Sequence, residues 1–107
     1  MQQARTLSVS IERPPRDVYA FVADRRNLAR WASGLDPALP VRFAATNELG
    51  VLDHYVTLPD DSEVYVPLRV VANGEGSEVL FTLFDAPEDD VAKVEQDLRT
   101  LKATLER

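Results

Sequence analysis

The sequence contains no cysteine and a single histidine among its 107 residues. Without cysteine the chain has no disulfide, no thiolate nucleophile and no thiolate ligand for a metal. A lone histidine also argues against a zinc centre, because such centres usually combine several histidine or cysteine ligands. We therefore expect neither a bound metal nor any other cofactor.

Positive charge and long apolar runs are also scarce. The 18 acidic residues outnumber the 12 basic ones, and the net charge of −6 opposes binding to nucleic-acid phosphates or anionic lipid heads. No run approaches the roughly 20 apolar residues of a membrane-spanning helix. The opening MQQARTLSVS lacks the apolar core of a signal peptide. These absences predict a cytoplasmic, bacterial-type protein that neither binds nucleic acid nor inserts into membranes.

The composition that remains is typical of a globular protein, with 45% hydrophobic and 28% charged residues, and we expect one domain over residues 1–107. The strict alternation of TLSVSIE (6–12) predicts a strand with one buried face. The prolines of RPPRDVYAFVAD (13–24) end that strand and begin a helix. A second short helix follows in DRRNLARWASGL (24–35), where Leu28 and Trp31 share a face.

The middle of the chain changes to strand periodicity. The segments PVRFAAT (40–46), VLDHYVTL (51–58), EVYVPLRVVA (63–72) and EVLFTLF (78–84) are separated by short turns. Such short connections predict an antiparallel meander, since a parallel crossover needs a dozen or more residues. Pro67 lies inside the third segment and cannot donate a ladder hydrogen bond, so we expect a bulge or an unpaired position there.

The C-terminal segment APEDDVAKVEQDLRTLKATLER (86–107) is the clearest helix. Its apolar residues recur every three or four positions and form one stripe, which comprises Val91, Val94, Leu98, Leu101 and Leu105. The stripe must be buried, and one face of the sheet is the only large apolar surface available. The order of elements therefore predicts an α+β fold in which a curved antiparallel sheet of about five strands packs on a long C-terminal helix, with two short helices after strand 1.

Three stretches carry a resemblance to a known superfamily: SVSIERPPRDVYAFVADRRNLARWASGL (8–35), VPLRVVANGEGSEVLFTLF (66–84) and DLRTLKATLE (97–106). Together they resemble the START-like superfamily, also called Bet v 1-like, SRPBCC or polyketide cyclase/dehydrase-like. The resemblance implies the helix-grip fold. It also implies a cavity between the sheet and the C-terminal helix that binds a small hydrophobic ligand.

His54 is the first candidate for a functional role. Side chains alternate along a strand, so His54 shares a face with Leu52 and Val56, whereas Asp53 and Tyr55 point the other way. An inward imidazole admits three interpretations: a hydrogen-bonded structural histidine, a contact to a polar group of a ligand, or a general acid or base.

Arg69 is the second candidate catalytic residue. Simple alternation places it on the outer face, where a cross-strand acid such as Asp53 would pair with it. If a bulge at Pro67 reverses the alternation, Arg69 instead turns inward beside His54 and becomes a clamp for a carboxylate or phosphate. The two alternatives place Arg69 in different parts of the molecule.

Three functional hypotheses follow. In the first, the protein binds a small apolar molecule between sheet and helix, and the predicted ligand-binding residues are Trp31, Leu52, His54, Val56, Phe81 and Leu101. For Trp31 and Phe81 a role in the core is the favoured alternative, since buried aromatic area dominates the energetics of small domains. In the second, the protein is a cyclase or dehydratase-type enzyme that uses His54. In the third, its core is filled and it acts as a homodimer through Tyr55 and Tyr65 on the outer face.

Overall fold

The computed structural model describes residues 1–107 and contains six strands and three α-helices. The strands are β1 (Ala4–Ile11), β2 (Val41–Phe43), β3 (His54–Thr57), β4 (Glu63–Val66), β5 (Leu68–Asn73) and β6 (Gly76–Phe84). The helices are α1 (Pro15–Ala23), α2 (Leu28–Trp31) and α3 (Glu88–Leu105), and a 3-10 turn over Arg25–Asn27 precedes α2. The predicted α+β organisation, with two short helices after the first strand and a long C-terminal helix, is confirmed.

The strands form two antiparallel halves that are joined by backbone hydrogen bonds. One half has the order β1-β6-β5 and the other the order β2-β3-β4. The residues just before β3 run along β5: the Leu52 N–H donates to the Leu68 carbonyl at 2.8 Å, and the Val70 N–H donates to the Gly50 carbonyl at 2.9 Å. These two bonds connect the halves, because they join β5 of one half to the segment that leads into β3 of the other half.

Pro67 separates β4 from β5 and divides the third predicted segment into two strands. The register with β3 and the residues preceding β3 is the same before and after Pro67, since His54 lies opposite Val66 and Val51 lies opposite Arg69. No bulge is therefore present. The Pro67 carbonyl accepts from the Thr82 N–H at 3.0 Å, so the proline nitrogen also faces β6, where it has no hydrogen to donate. The pairing with β6 extends along β5 but not along β4, and the sheet splits at this residue.

Strands β2 and β3 are shorter than the alternation predicts. The side chain of Asn47 replaces strand pairing in the segment between them: its amide donates to the carbonyls of Ala45 and Val51, and its oxygen accepts from the N–H groups of Leu49 and Val51. An asparagine side chain that satisfies nearby backbone groups offers the chain an alternative to a ladder. Residues 44–53 consequently form a loop with one isolated bridge.

Helix α3 lies over only one half of the sheet. Its main contacts are with β1 and α2, and four of the five stripe residues are buried while Val94 is partly exposed. The larger core lies beneath it and comprises Ile11, Val18, Val22, Trp31, Ala32, Leu52, Leu68, Val70, Val79, Leu98, Leu101 and Leu105. A separate cluster of Val41, Val56 and Val66 lies on the other half, so the apolar interior is divided in two.

Two glycines with positive φ provide a test of the connection between the halves. Gly50 (φ 76°) lies at the junction, and a Cβ there would overlap the Val70 carbonyl oxygen. Gly74 (φ 60°) lies in the β5–β6 turn, where a Cβ would meet no other atom. Gly74→Ala should cost about 1–2 kcal/mol through its backbone conformation alone. Gly50→Ala should cost about 1–3 kcal/mol more, because the overlap forces the strands apart.

Denaturant unfolding of both variants measures this difference. The midpoint for Gly50→Ala should lie clearly below that of Gly74→Ala. Equal midpoints would show that the contact between Gly50 and Val70 does not hold the halves together.

Candidate ligand-binding groove

A groove of about 850 Å³ lies at the split in the sheet. The inner side of β3 and both sides of β4 form one wall, and the end of β6 with the first half of α3 forms the other. Helix α2 and the link that follows it complete the enclosure, and exposed residues such as Asp36 and Glu63 lie at the rim. The volume is within the range of roughly 300–1,000 Å³ that is typical of small-molecule sites.

Apolar side chains make up most of the groove wall. Six of them come from six different parts of the fold: Leu35, Phe43, Val56, Val66, Phe81 and Val94. Val56 and Val66 reach the groove because strand alternation turns them inward beside His54. Phe81 packs against both apolar clusters and therefore forms the boundary between the core and the groove.

His54 is the buried polar residue of the β3 wall. Its side chain is only 7% exposed, and it lies among aromatic rings, with the ring centroids of Phe43 and Phe81 at 5.0 and 6.3 Å. Nδ1 lies 3.0 Å from the Leu52 carbonyl oxygen. An oxygen acceptor requires a proton on Nδ1, so the neutral ring carries its lone pair on Nε2.

The electrostatics of His54 favour this neutral form. Burial lowers the pKa of His54 from its ordinary value of 6.5, although the hydrogen bond to Leu52 and the nearby charge of Asp53 act in the opposite direction. Nε2 makes no hydrogen bond within the protein. His54 therefore provides the groove with an unused hydrogen-bond acceptor.

Asp53 and Arg69 lie on the opposite face of the sheet from His54. The Arg69 guanidinium donates two hydrogen bonds of 2.8 Å to the Asp53 carboxylate, and the Tyr65 hydroxyl donates a third at 3.0 Å. The guanidinium lowers the pKa of Asp53 to about 2, and the carboxylate in turn raises the pKa of Arg69. Arg69 occupies the outward position that simple alternation favours, and it is not part of the groove.

Trp31 closes the groove at the end of α2. It is almost completely buried, and its Nε1–H is the one buried side-chain polar group without a hydrogen-bond partner in the protein. The indole belongs at the same time to the larger core. Trp31 is thus a core residue that also lines the groove, and its contact with a ligand stays a prediction.

Asp97 is a groove residue that the periodicity did not reveal. It lies on α3 and is 7% exposed, and its carboxylate accepts the Gly34 N–H at 3.2 and 3.3 Å and the Ser33 hydroxyl at 3.4 Å. Burial raises the pKa of Asp97, and the hydrogen bonds oppose that shift only partly. The sequence signal is an acid three residues after Val94 and four before Leu101, which places it on the apolar side of the helix.

The predicted ligand-binding residues do not all meet in one place. Trp31, His54, Val56 and Phe81 line the groove. Leu101 is fully buried in the core beneath α3 and lines no part of it, because α3 lies against β1 at that point. Leu52 also belongs to the core and borders a second pocket of about 570 Å³ beside α1 and β2.

The outer face of the sheet carries a layer of aromatic side chains that we call the outer aromatic patch, formed by Arg42, Tyr55, Tyr65 and Phe84. The Arg42 guanidinium lies 4.6 Å from the centre of the Tyr55 ring, and the Tyr55 and Tyr65 ring centroids are 5.4 Å apart. The Tyr65 and Phe84 rings stack at 6.3 Å. Both tyrosines are exposed.

No helix is both long and apolar enough to cross a membrane. No three histidine, aspartate or glutamate side chains are grouped in a way that could hold a metal ion.

Comparisons of sequence and structure give different results. No protein-family model matches the chain, and no curated protein matches it. Solved structures, in contrast, match along nearly the whole length. The Aha1 dimer from Colwellia psychrerythraea has a TM-score of 0.76 at 12% identity, covering 97% of this chain and 96% of that one.

Two other solved structures agree with it. MLL2253 from Mesorhizobium loti has a TM-score of 0.73 at 14% identity and covers 98% of both chains. CalU16 from Micromonospora echinospora has a TM-score of 0.72 at 15% identity, covering 96% of this chain and 74% of that one. At these identities the likeness concerns the fold. The fold that the sequence predicts is confirmed: the chain has the Bet v 1-like helix-grip fold.

Proposed function

We propose that this protein binds a small, predominantly apolar molecule in the groove, and that His54 Nε2 accepts a hydrogen bond from it. The observation that carries the proposal is the position of His54: a buried imidazole on an apolar groove wall, with Nδ1 engaged and Nε2 unused. Sites for small molecules commonly combine an apolar lining with a few placed polar groups.

The arrangement supports binding better than the enzymatic alternative. His54 and Arg69 point to opposite faces of the sheet, so the hypothesis in which both act on one substrate has no geometric support. The low pKa of His54 also favours a neutral acceptor over a proton donor at neutral pH.

Filling the groove provides the first test. Val94→Trp places an indole in the space from the α3 side, whereas Val71→Trp makes the same change at an exposed position outside the groove. The fluorescent probe N-phenyl-1-naphthylamine should bind the unmodified protein and Val71→Trp with similar affinity. Val94→Trp should weaken binding at least about tenfold, since the apolar contact area is lost. Unchanged binding by Val94→Trp, or no binding by the unmodified protein, would contradict the proposal.

His54→Phe tests the hydrogen bond. The ligands 1-naphthol and 1-methylnaphthalene share a ring system but only the first has a hydroxyl donor. The substitution should weaken the binding of 1-naphthol by roughly two- to tenfold, which corresponds to the roughly 0.5–1.5 kcal/mol of a neutral hydrogen bond. The affinity for 1-methylnaphthalene should be nearly unchanged. An equal effect on both ligands would show that His54 contributes only shape.

The same bond gives the direction of a pH effect. Because folding lowers the pKa of His54 below 6.5, the unprotonated Nε2 persists at and above that pH. Binding of 1-naphthol and the stability contributed by neutral His54 should both be complete above pH 6.5. The stability should decline as the pH falls below 6.5, because the unfolded chain takes up the proton first. Binding should decline only when the pH falls through the lowered pKa, which NMR titration of the ring measures.

Self-association is a second candidate function, favoured by the outer aromatic patch. The patch exposes Tyr55 and Tyr65 on the face opposite His54, and tyrosine and arginine are enriched at protein interfaces. The Colwellia protein with the same fold was solved as a dimer. We propose that two copies of this chain associate through the patch.

Sedimentation velocity tests this proposal. The unmodified protein should reach twice the 12.0 kDa mass of one chain as the concentration rises. Tyr55→Asp should restore the monomer, and Leu49→Asp, at an exposed site outside the patch, should not. A monomer at every concentration would exclude the dimer without affecting the groove.

A further inference from the structure

The charged residues that line the groove are almost all of one sign. Five are acidic and one is basic: Asp36, Glu63, Asp85, Asp90 and Asp97 against Lys93. Four of the acids are exposed at the rim, where solvent screens them. Only Asp97 is buried, so it is the charge that a ligand inside the groove would encounter without intervening water.

Asp97 has no cationic partner in the protein. The structure contains seven ion pairs, and Asp97 belongs to none of them. Its hydrogen-bond donors, the Gly34 N–H and the Ser33 hydroxyl, are neutral groups that leave its charge uncompensated. An ionised carboxylate accepts about four hydrogen bonds, so capacity remains for another donor.

Lys93 is the one cation that could neutralise Asp97 from the same helix. The two residues are four positions apart, and Lys93 also lines the groove. No ion pair within 4.0 Å joins them. The order lysine before aspartate is the weaker of the two arrangements on a helix, which agrees with the exposed position of Lys93.

These observations discriminate between classes of ligand. A buried carboxylate without a counter-ion repels a ligand carboxylate or phosphate and attracts an ammonium group. Trp31, Phe43 and Phe81 are in the same lining, and aromatic faces also attract cations. Primary amines remain protonated at neutral pH, as the lysine side chain does.

Building on the proposed function, we infer that the groove selects an apolar ligand that bears a protonated amine, which pairs with the Asp97 carboxylate, over ligands that bear a carboxylate or phosphate. The pairing of an ammonium group with Asp97 does not require His54 to accept a hydrogen bond elsewhere on the same molecule.

A matched ligand series tests the inference on the unmodified protein. Decylamine, decanol and decanoate share one alkyl chain and differ in charge, and each is titrated at pH 7.5 against bound N-phenyl-1-naphthylamine. Decylamine should displace the probe at concentrations at least about tenfold lower than decanoate does. If the probe binds but decanoate competes as well as decylamine, the inference fails while the proposed function stands. If the probe does not bind at all, the proposed function fails, and the inference fails with it.

Two variants separate Asp97 from the general charge of the protein. Asp97→Asn removes the buried charge but keeps an oxygen that accepts the Gly34 N–H, and Glu95→Gln removes one charge from the same helix outside the groove. Asp97→Asn should raise the concentration of decylamine that displaces the probe at least about fivefold relative to that of decanol. Glu95→Gln should leave this ratio of the two displacing concentrations unchanged. Equal effects of both variants would attribute the preference to net charge and overturn the role of Asp97. Thermal unfolding confirms that each variant is folded.

Discussion

The missing N–H of Pro67 is the constraint on which the rest of the structure depends. After this residue, β5 pairs with β6 on one side and with the residues preceding β3 on the other. At Pro67 only the Thr82 N–H contributes to the pairing with β6. On the other side of Pro67, β4 pairs with β3 and not with β6. Because a strand cannot leave its neighbour without opening space between them, the split creates the groove at the position where the sheet divides.

The adjacent residues Asp53 and His54 complete the backbone hydrogen bonding beside this split. Leu52 and Leu68 face each other, but only one bond of their pair is formed, from the Leu52 N–H to the Leu68 carbonyl. The Leu68 N–H donates to the Asp53 carboxylate at 3.0 Å, and the Leu52 carbonyl is bonded by the His54 ring. Both backbone groups left unpaired between Leu52 and Leu68 thus have a side-chain partner, which avoids the cost of a buried unpaired group. The orientation of the His54 ring is consequently set by the sheet, and Arg69 holds Asp53 from the outer face.

The parts of this arrangement that depend on local pattern could be predicted from the sequence. Alternation placed His54 inward with Val56 and placed Asp53 and Arg69 outward, and the helical period identified the buried stripe of α3. The parts that depend on distant partners could not. Whether Pro67 splits the sheet depends on where β6 lies, and the shortening of β2 and β3 depends on Asn47 competing with the ladder. The place of Asp97 in the groove could not be predicted, because a single acid barely changes the periodicity of a helix. Its burial nevertheless makes it the charge that a ligand inside the groove would meet.

The division of the interior into two clusters reconciles a stable fold with a wall that carries buried polar groups. A neutral histidine and a buried carboxylate each cost stability, since both lose hydration that the protein replaces only in part. The twelve residues of the larger core lie under α1, α3 and the β1-β6-β5 half, and they include neither His54 nor Asp97. Of the larger core only Trp31 and Ala32 line the groove, and on the other half Val56 and Val66 of the valine cluster do so. The larger core therefore stabilises α1, α3 and the β1-β6-β5 half, while His54 on β3 and Asp97 on α3 present polar groups to the groove from its two walls.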